Sequence, residues 1–363
     1  MNKPFFRVIL LFTLLSGMFL TSPQAQPLNI ILVESGPVNY NFQLLYGFAQ
    51  DLYKQSFLTL PPPPDLQKAQ QLWQWLGQHS RFQRLSFSVN GYYSYDWDKA
   101  KRRVLRESVR RRLEEQQDVD IIIALGTPAA FDMANMPTDK PVIVAGVTSP
   151  VEAGIVPSVS DSGKDNLVAV VQPKENQQQL EYFHKVIPFK RLGITYEDTD
   201  FGKSMLAFDE IEHTADILGF ELVPCQANLF GEPELVTQSL LECHRQFAEK
   251  QADAVYLTYS STLTAQQRST TLEPLIEAGI PTFSQALVED VKYGALLSFV
   301  DSCISEGQFV ANLLVKIAAG HMPRKLSQVF LSPKLLAVNL RTAALIGWNP
   351  PLDVLLSIDE IYE

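Results

Sequence analysis

What most constrains this chain is a pattern that recurs in both halves. A short, β-branched, apolar run stops abruptly at small polar residues, and a helical segment follows. Ile121–Leu125 stops at Gly126-Thr127, 142–147 at Thr148-Ser149-Pro150, 192–195 at Tyr196-Glu197, and Ala254–Leu257 at Thr258-Tyr259-Ser260-Ser261. Runs of this length, bounded by turn residues and separated by helical periods, read as strands of parallel sheets covered on both faces, an α/β architecture. Ligands of such sheets bind at the carboxyl ends of the strands. The polar residues sit at those ends, so the pattern points to a small-molecule site.

Residues 1–25 are expected to lie outside the fold. Lys3 and Arg7 precede an apolar stretch, 8–20, and Ser22-Pro23-Gln24-Ala25 offers small residues for cleavage. This reads as a secretory signal peptide; a retained membrane anchor is the less favoured alternative, because the apolar stretch is short. No cysteine lies near the cleavage site, which argues against a lipid anchor. Without Lys3 and Arg7 the net charge moves from −10 to −12. An acidic, well-mixed surface argues against a nucleic-acid partner. The 363 residues exceed what one core usually covers, so two lobes are expected. Of the three cysteines, Cys225 and Cys243 pair in an oxidising compartment and leave Cys303 buried, or all three stay as unpaired buried thiols.

Along the chain, a first strand at 29–33 ends in Glu34-Ser35-Gly36, and a helix is expected at 42–53. A four-proline run at 61–64 and a short helix at 66–76 with Trp73 and Trp75 read as an insertion, 58–80. Packing of this insertion on its own lobe is favoured over a partner contact. A strand at 85–89 leads into the aromatic stretch Tyr92, Tyr93, Tyr95, Trp97, which either packs as a loop or reaches the ligand site. The segment 99–115 is a basic amphipathic helix with Val104, Val109 and Leu113 as its apolar stripe and Leu105 as an optional member; a solvated crossover helix is favoured over a membrane or nucleic-acid helix. Strands are expected at 167–171, 192–195, 221–223, 282–283 and 295–299. Helices are expected at 177–186, 203–218, 234–250, 264–278 and 304–319, three of them stopped by Gly219, Gly279 and Gly320.

No catalytic or metal-ligand spacing is present: there is no nucleophile elbow, phosphate loop, dinucleotide fingerprint or paired histidine motif. No cofactor or metal is therefore expected, and the chain does not read as an enzyme. What remains is a set of hydrogen-bonding groups at strand ends: Ser35, Gly126, Thr127, Thr148, Ser149, Tyr196, Tyr259, Ser260, Ser284 and Asp301. Thr127 and Thr148-Ser149 would start helices, whose N-termini favour a carboxylate. Tyr196 and Tyr259 offer aromatic walls, and Asp301, just past a strand, a partner for an amine. Together they suit a zwitterion, although each residue alone also fits a cap or turn.

The stretches 119–130 and 141–154 resemble two motifs of the substrate-binding proteins of ABC transporters, in the group that includes the tryptophan-binding type. Similar matches are Leu192-Gly193-Ile194-Thr195-Tyr196, 252–256, 279–283, 294–301, Glu306-Gly307 and 339–347. The resemblance implies a two-lobed type I periplasmic binding fold. It implies a signal peptide at 1–25, a first lobe of 26–168 plus 300–326 with 58–98 partly inserted, and a second lobe of 169–299 plus 327–363. It further implies a periplasmic monomer that binds a small organic ligand, an amino acid among the candidates, by hinge closure and delivers it to an inner-membrane ABC permease. The alternative is a periplasmic sensing module that reports occupancy to a membrane sensor. Two departures stand out: Ser149-Pro150 where the family often has Asp-Pro, and Ser260-Ser261 where it often has Asp-Asn.

Overall fold

Alternation decides the first half of the molecule. In the computed structural model, which describes residues 26–80, 85–260, 263–285, 288–331 and 334–363, β1 (Leu28–Glu34) sends Ile30 and Leu32 into one apolar cluster and Ile31 and Val33 into another. Successive side chains of a strand leave opposite faces, so a run apolar at every position must be covered on both. α1 (Asn39–Lys54) and α2 (Ala69–His79) cover one face. β2 (Leu85–Ser94) leads to α3 (Lys99–Arg111), then come β3 (Ile121–Leu125), α4 (Thr127–Ala134), β4 (Val142–Ala145) and β5 (Leu167–Ala169). The five strands pair in parallel in the order β2-β1-β3-β4-β5.

The second half repeats the arrangement. α5 (Glu175–Val186), β6 (Arg191–Tyr196), α6 (Asp200–Met205), α7 (Phe208–Leu218), β7 (Glu221–Gln226), α8 (Pro233–Glu249), β8 (Ala254–Leu257), α9 (Ala265–Glu277), β9 (Thr282–Ser284), α10 (Val288–Lys292) and β10 (Leu297–Asp301) follow in turn. The chain then crosses back as α11 (Cys303–Ala318). It returns as β11 (Lys334–Asn339), α12 (Leu340–Leu345), α13 (Leu352–Leu356) and β12 (Glu360–Tyr362). The seven-stranded sheet runs β12-β11-β10-β9-β8-β6-β7, parallel except for the antiparallel β10–β11 pair.

α11 belongs to the first sheet's core. It packs against α1 so closely that a Cβ on Gly307 would lie 1.9 Å from the Leu44 carbonyl oxygen, and one on Gly47 2.2 Å from that of Ile304. Two of the connections between sheets run side by side: Val171 N–H donates to Gln328 O at 2.8 Å, and Phe330 N–H to Val171 O at 3.0 Å.

Several expectations need correction. The helix expected at 203–218 is two helices, because Ala207 takes a left-handed φ of 53° between them. The last strand before α11 is shifted, so Asp301 is its final residue rather than a loop residue. Thr148 and Ser149 begin a turn, not a helix; Ser149 Oγ accepts from Glu152 N–H at 3.4 Å. In α3, Val104 is 62% exposed, so the stripe is narrower than read. The helix then widens into a single π-helical stretch, Arg112–Gln116. Its arginines are largely spent on neighbours: Arg102 on Asp132, Arg110 on Glu107 and Glu114, Arg112 on Asp118. The insertion packs on its own lobe, with Trp73 fully buried edge-on to Phe87 at 5.3 Å. Burying such a ring contributes roughly 1.5–3 kcal/mol. Cys225 and Cys243 form a disulfide, with Cα atoms 5.6 Å apart. The leader expected at 1–25 and Ser261 lie outside the described residues. Among the described residues no helix is long and apolar enough to cross a membrane.

Candidate functional site

The carboxyl ends of the two sheets face a common cleft. From the first sheet come the segments after each strand: Val38, Tyr40 and Asn41 after β1, Trp97 after β2, Gly126 and Thr127 after β3, Gly146, Val147 and Thr148 after β4. From the second come Asn176 and Glu175 at the start of α5, Met205, Tyr259 after β8, Gln285 after β9, and Val300. Gln172 lies on the connection between them. Parallel sheets place ligands at this edge because successive loops converge there.

The first lobe's rim is fixed by buried polar contacts. Ser35 Oγ donates to Leu125 O at 3.1 Å and accepts from Ala129 N–H at 3.1 Å, so it caps α4. Gly126 must lack a side chain there: its φ is +82°, and a Cβ would meet Ser35 Oγ at 2.7 Å. Glu306 on α11, only 2% exposed, accepts from Gly146 N–H at 2.9 Å and from the Tyr40 hydroxyl. Burial holds its carboxyl above the usual carboxylate range.

The second lobe's floor is an amide network. Gln285 Nε2 donates to Asn176 Oδ1 and to Leu206 O, both at 2.8 Å, while its Oε1 accepts from Tyr259 N–H at 3.0 Å. Asn176 Nδ2 donates to Glu210 at 3.0 Å, and the Tyr256 hydroxyl donates to Asn176 Oδ1 at 3.2 Å. Glu175, with its side chain 14% exposed, is pushed up to about 7, chiefly by burial. Lys334 lies 3.5 Å away and opposes that shift, but it also pairs with Asp301 at 2.9 Å.

Aromatic rings link the lobes. Trp97 stacks on Phe230 with centroids 5.7 Å apart, and Phe230 leans on Tyr259 at 6.1 Å. Trp97 Nε1 and Gln172 Nε2 are buried donors with no hydrogen-bond partner among the described residues. Buried N–H groups normally find an acceptor, so two orphans beside one cleft suit a ligand that carries acceptor atoms. Among the described residues no group of three or more His, Cys, Asp and Glu is arranged to hold a metal.

Of the ten residues singled out from sequence, the cleft lining gathers Gly126, Thr127, Thr148 and Tyr259. The others sit beside it or elsewhere. Ser35 and Ser149 make the local contacts above. Tyr196 packs against Phe208 at 5.2 Å, under Lys203. Ser260 lines a smaller pocket with Arg268 and Asp290, and Ser284 Oγ donates to Asp290 at 2.6 Å. Asp301 is paired with Lys334. Unread from sequence were Tyr40, Asn41, Gln172, Glu175, Asn176, Met205, Gln285 and Val300. Gln285 was within reach, one residue beyond a strand end; the residues of the connection carry no such signal.

A family described as ABC transporter substrate binding protein matches residues 98–358. A curated tyrosine-binding protein of Clostridioides difficile is 30% identical over 123 residues, 34% of this chain and 35% of that protein, so the match spans about a third of that relative's length. Among solved structures, an ABC domain from Streptococcus pneumoniae in complex with L-Trp superposes with a TM-score of 0.70 at 19% identity, covering 92% of this chain and 99% of that one. A ligand-free, open substrate binding protein with adhesive properties from Clostridium difficile gives 0.62 at 18% identity, covering 93% and 99%. These likenesses carry the fold: two α/β lobes of the type I periplasmic binding kind.

Proposed function

The chain belongs to the family of ABC transporter substrate binding proteins, solute-binding proteins rather than enzymes, and from that premise we propose that it captures one small amino acid-like ligand in the inter-lobe cleft. The two lobes close on the ligand by hinge motion and present it to an ABC permease. The observation that carries this reading is the composition of the cleft. Thr127, Thr148 and two N–H donors unpartnered among the described residues suit a carboxylate, Glu175 supplies a carboxyl for an amine, and Trp97, Tyr259, Met205 and Val147 form an apolar wall. An aromatic amino acid suits that wall, in keeping with the tyrosine and L-Trp named for two relatives. Export to the periplasm fits the apolar leader and the Cys225–Cys243 disulfide.

The test is thermal unfolding of the protein with L-tyrosine, L-tryptophan, small organic acids and myo-inositol. A ligand at 100 times its Kd stabilises the native state by about 2.7 kcal/mol. A rise of several degrees with an aromatic amino acid supports the reading, and a flat response to the whole panel removes it.

A further inference from the structure

We propose that Trp97 is the specificity-determining side chain of the cleft: its indole N–H donates to an acceptor atom of the ligand while its ring closes the cleft against Phe230. This rests on the cleft being the ligand site and adds a named residue with two separable roles.

Three observations single Trp97 out. First, its Nε1 is buried beside the cleft with no hydrogen-bond partner among the described residues. The indole N–H can only donate, and buried indoles usually find an acceptor. Second, the backbone is forced to place it. Asp96 and Trp97 are consecutive non-glycine residues with φ of 51° and 60°. The turn holding them is pinned: Trp97 N–H donates to Ser35 O at 3.0 Å, Ser94 Oγ to Asp96 at 2.6 Å, and Asp98 caps α3. Unfavourable conformations persist where surrounding contacts over-determine them, and they cluster at ligand clamps. Third, Gly36 clears space for the ring. A Cβ on Gly36 would lie 2.4 Å from the indole Cδ1 and 2.5 Å from Nε1, so the donor edge of the ring rests over Gly36, yet Gly36 has no left-handed φ that would itself require glycine.

Across the cleft, Phe230 is held for the stack. The N–H groups of Leu229 and Phe230 both donate to Glu197, at 2.9 and 3.2 Å. The ring therefore bridges the lobes. With Gln172 as a second orphan donor, the ligand class is one bearing at least two acceptor atoms, a carboxylate foremost.

The test separates the two roles by isothermal titration with L-tyrosine and L-tryptophan and by X-ray scattering with and without them. Trp97→Phe keeps a ring and deletes the donor; it should weaken binding about ten- to hundredfold, the worth of a hydrogen bond to a charged acceptor, and still compact on binding. Phe230→Ala should lose most of the compaction. Gly36→Ala should displace the indole and mimic Trp97→Phe, but change nothing further in a Trp97→Ala background. Trp97→Phe that binds and compacts like the parent, while Thr127→Val and Thr148→Val weaken binding, overturns the role of Trp97 and leaves the cleft reading standing. A parent protein that binds neither probe overturns both.

Discussion

Glu306 accepts a hydrogen bond from the backbone N–H of Gly146 at 2.9 Å across 160 residues of sequence. One residue is on the helix that follows the second sheet; the other is on the rim of the first. The contact makes α11 part of the cleft's architecture, and it explains why the chain crosses back before it ends. Glu306→Ala would leave Gly146 N–H and the Tyr40 hydroxyl without their acceptor. Losing hydrogen bonds to a charged group costs about 1.5–3 kcal/mol each. Urea unfolding should show an unfolding free energy lower by that order, with Glu306→Gln milder.

The α1–α11 contact gives a second expectation. Gly307→Ala puts a Cβ 1.9 Å from a backbone oxygen that cannot move aside. Overpacking of this kind costs about 1–3 kcal/mol and sometimes more. Gly219→Ala is the comparison of choice, because nothing lies within 4 Å of its Cβ and only its φ of +73° is strained. The Gly307 variant should lose more stability, by calorimetry, than the Gly219 variant.

Glu175 sets a pH dependence. Its carboxyl is pushed from its ordinary value of 4.5 up to about 7 in the folded protein. Between those two values the native state holds more protons than the unfolded chain, so its contribution is fully present below about 4.5 and is lost as pH rises through 7. Glu152 acts in the same direction. It is also raised to about 7, by burial and then by Asp209 and Glu210 of the facing lobe. Glu175→Gln should therefore gain stability over the parent as pH goes from 5 to 8, with the gain read as a difference in melting temperature. Equal pH profiles would contradict the assignment.

The disulfide gives a counting experiment. Before reduction the unfolded chain should expose one titratable thiol, Cys303, and after reduction three. In the native protein Cys303 should alkylate slowly, because burial pushes its thiol far up from its ordinary value. Closing an 18-residue loop contributes about 3 kcal/mol, so the reduced protein should unfold at clearly lower urea.

The strands that stood out as continuous apolar runs are those covered on both faces, whereas the half-exposed β2 showed as alternation. Ile121–Leu125 is buried at every position and therefore apolar at every position. β12 was not legible because Glu360 and Ile361 are exposed at a sheet edge, which leaves no pattern to read. The break at Ala207 was hidden because an alanine in a left-handed conformation looks, in sequence, like any helical alanine. For the site, strand ends were the right place to look, but neighbouring residues of a strand point to opposite faces. Thr127, Thr148 and Tyr259 line the cleft, whereas Tyr196 packs beneath Lys203. Gln172 belongs to a crossover and Glu175 and Asn176 to the first turn of α5 just after it, whose return to the cleft is a property of topology rather than of local sequence.

Hydrogen exchange read by mass spectrometry, with and without L-tyrosine or L-tryptophan, tests the central claim most directly. Slowed exchange on both sides of the cleft, in peptides spanning 126–148 and in those holding Asn176 and Gln285, is the predicted result. Protection confined to one lobe, or none at these peptides despite stoichiometric binding, would contradict it.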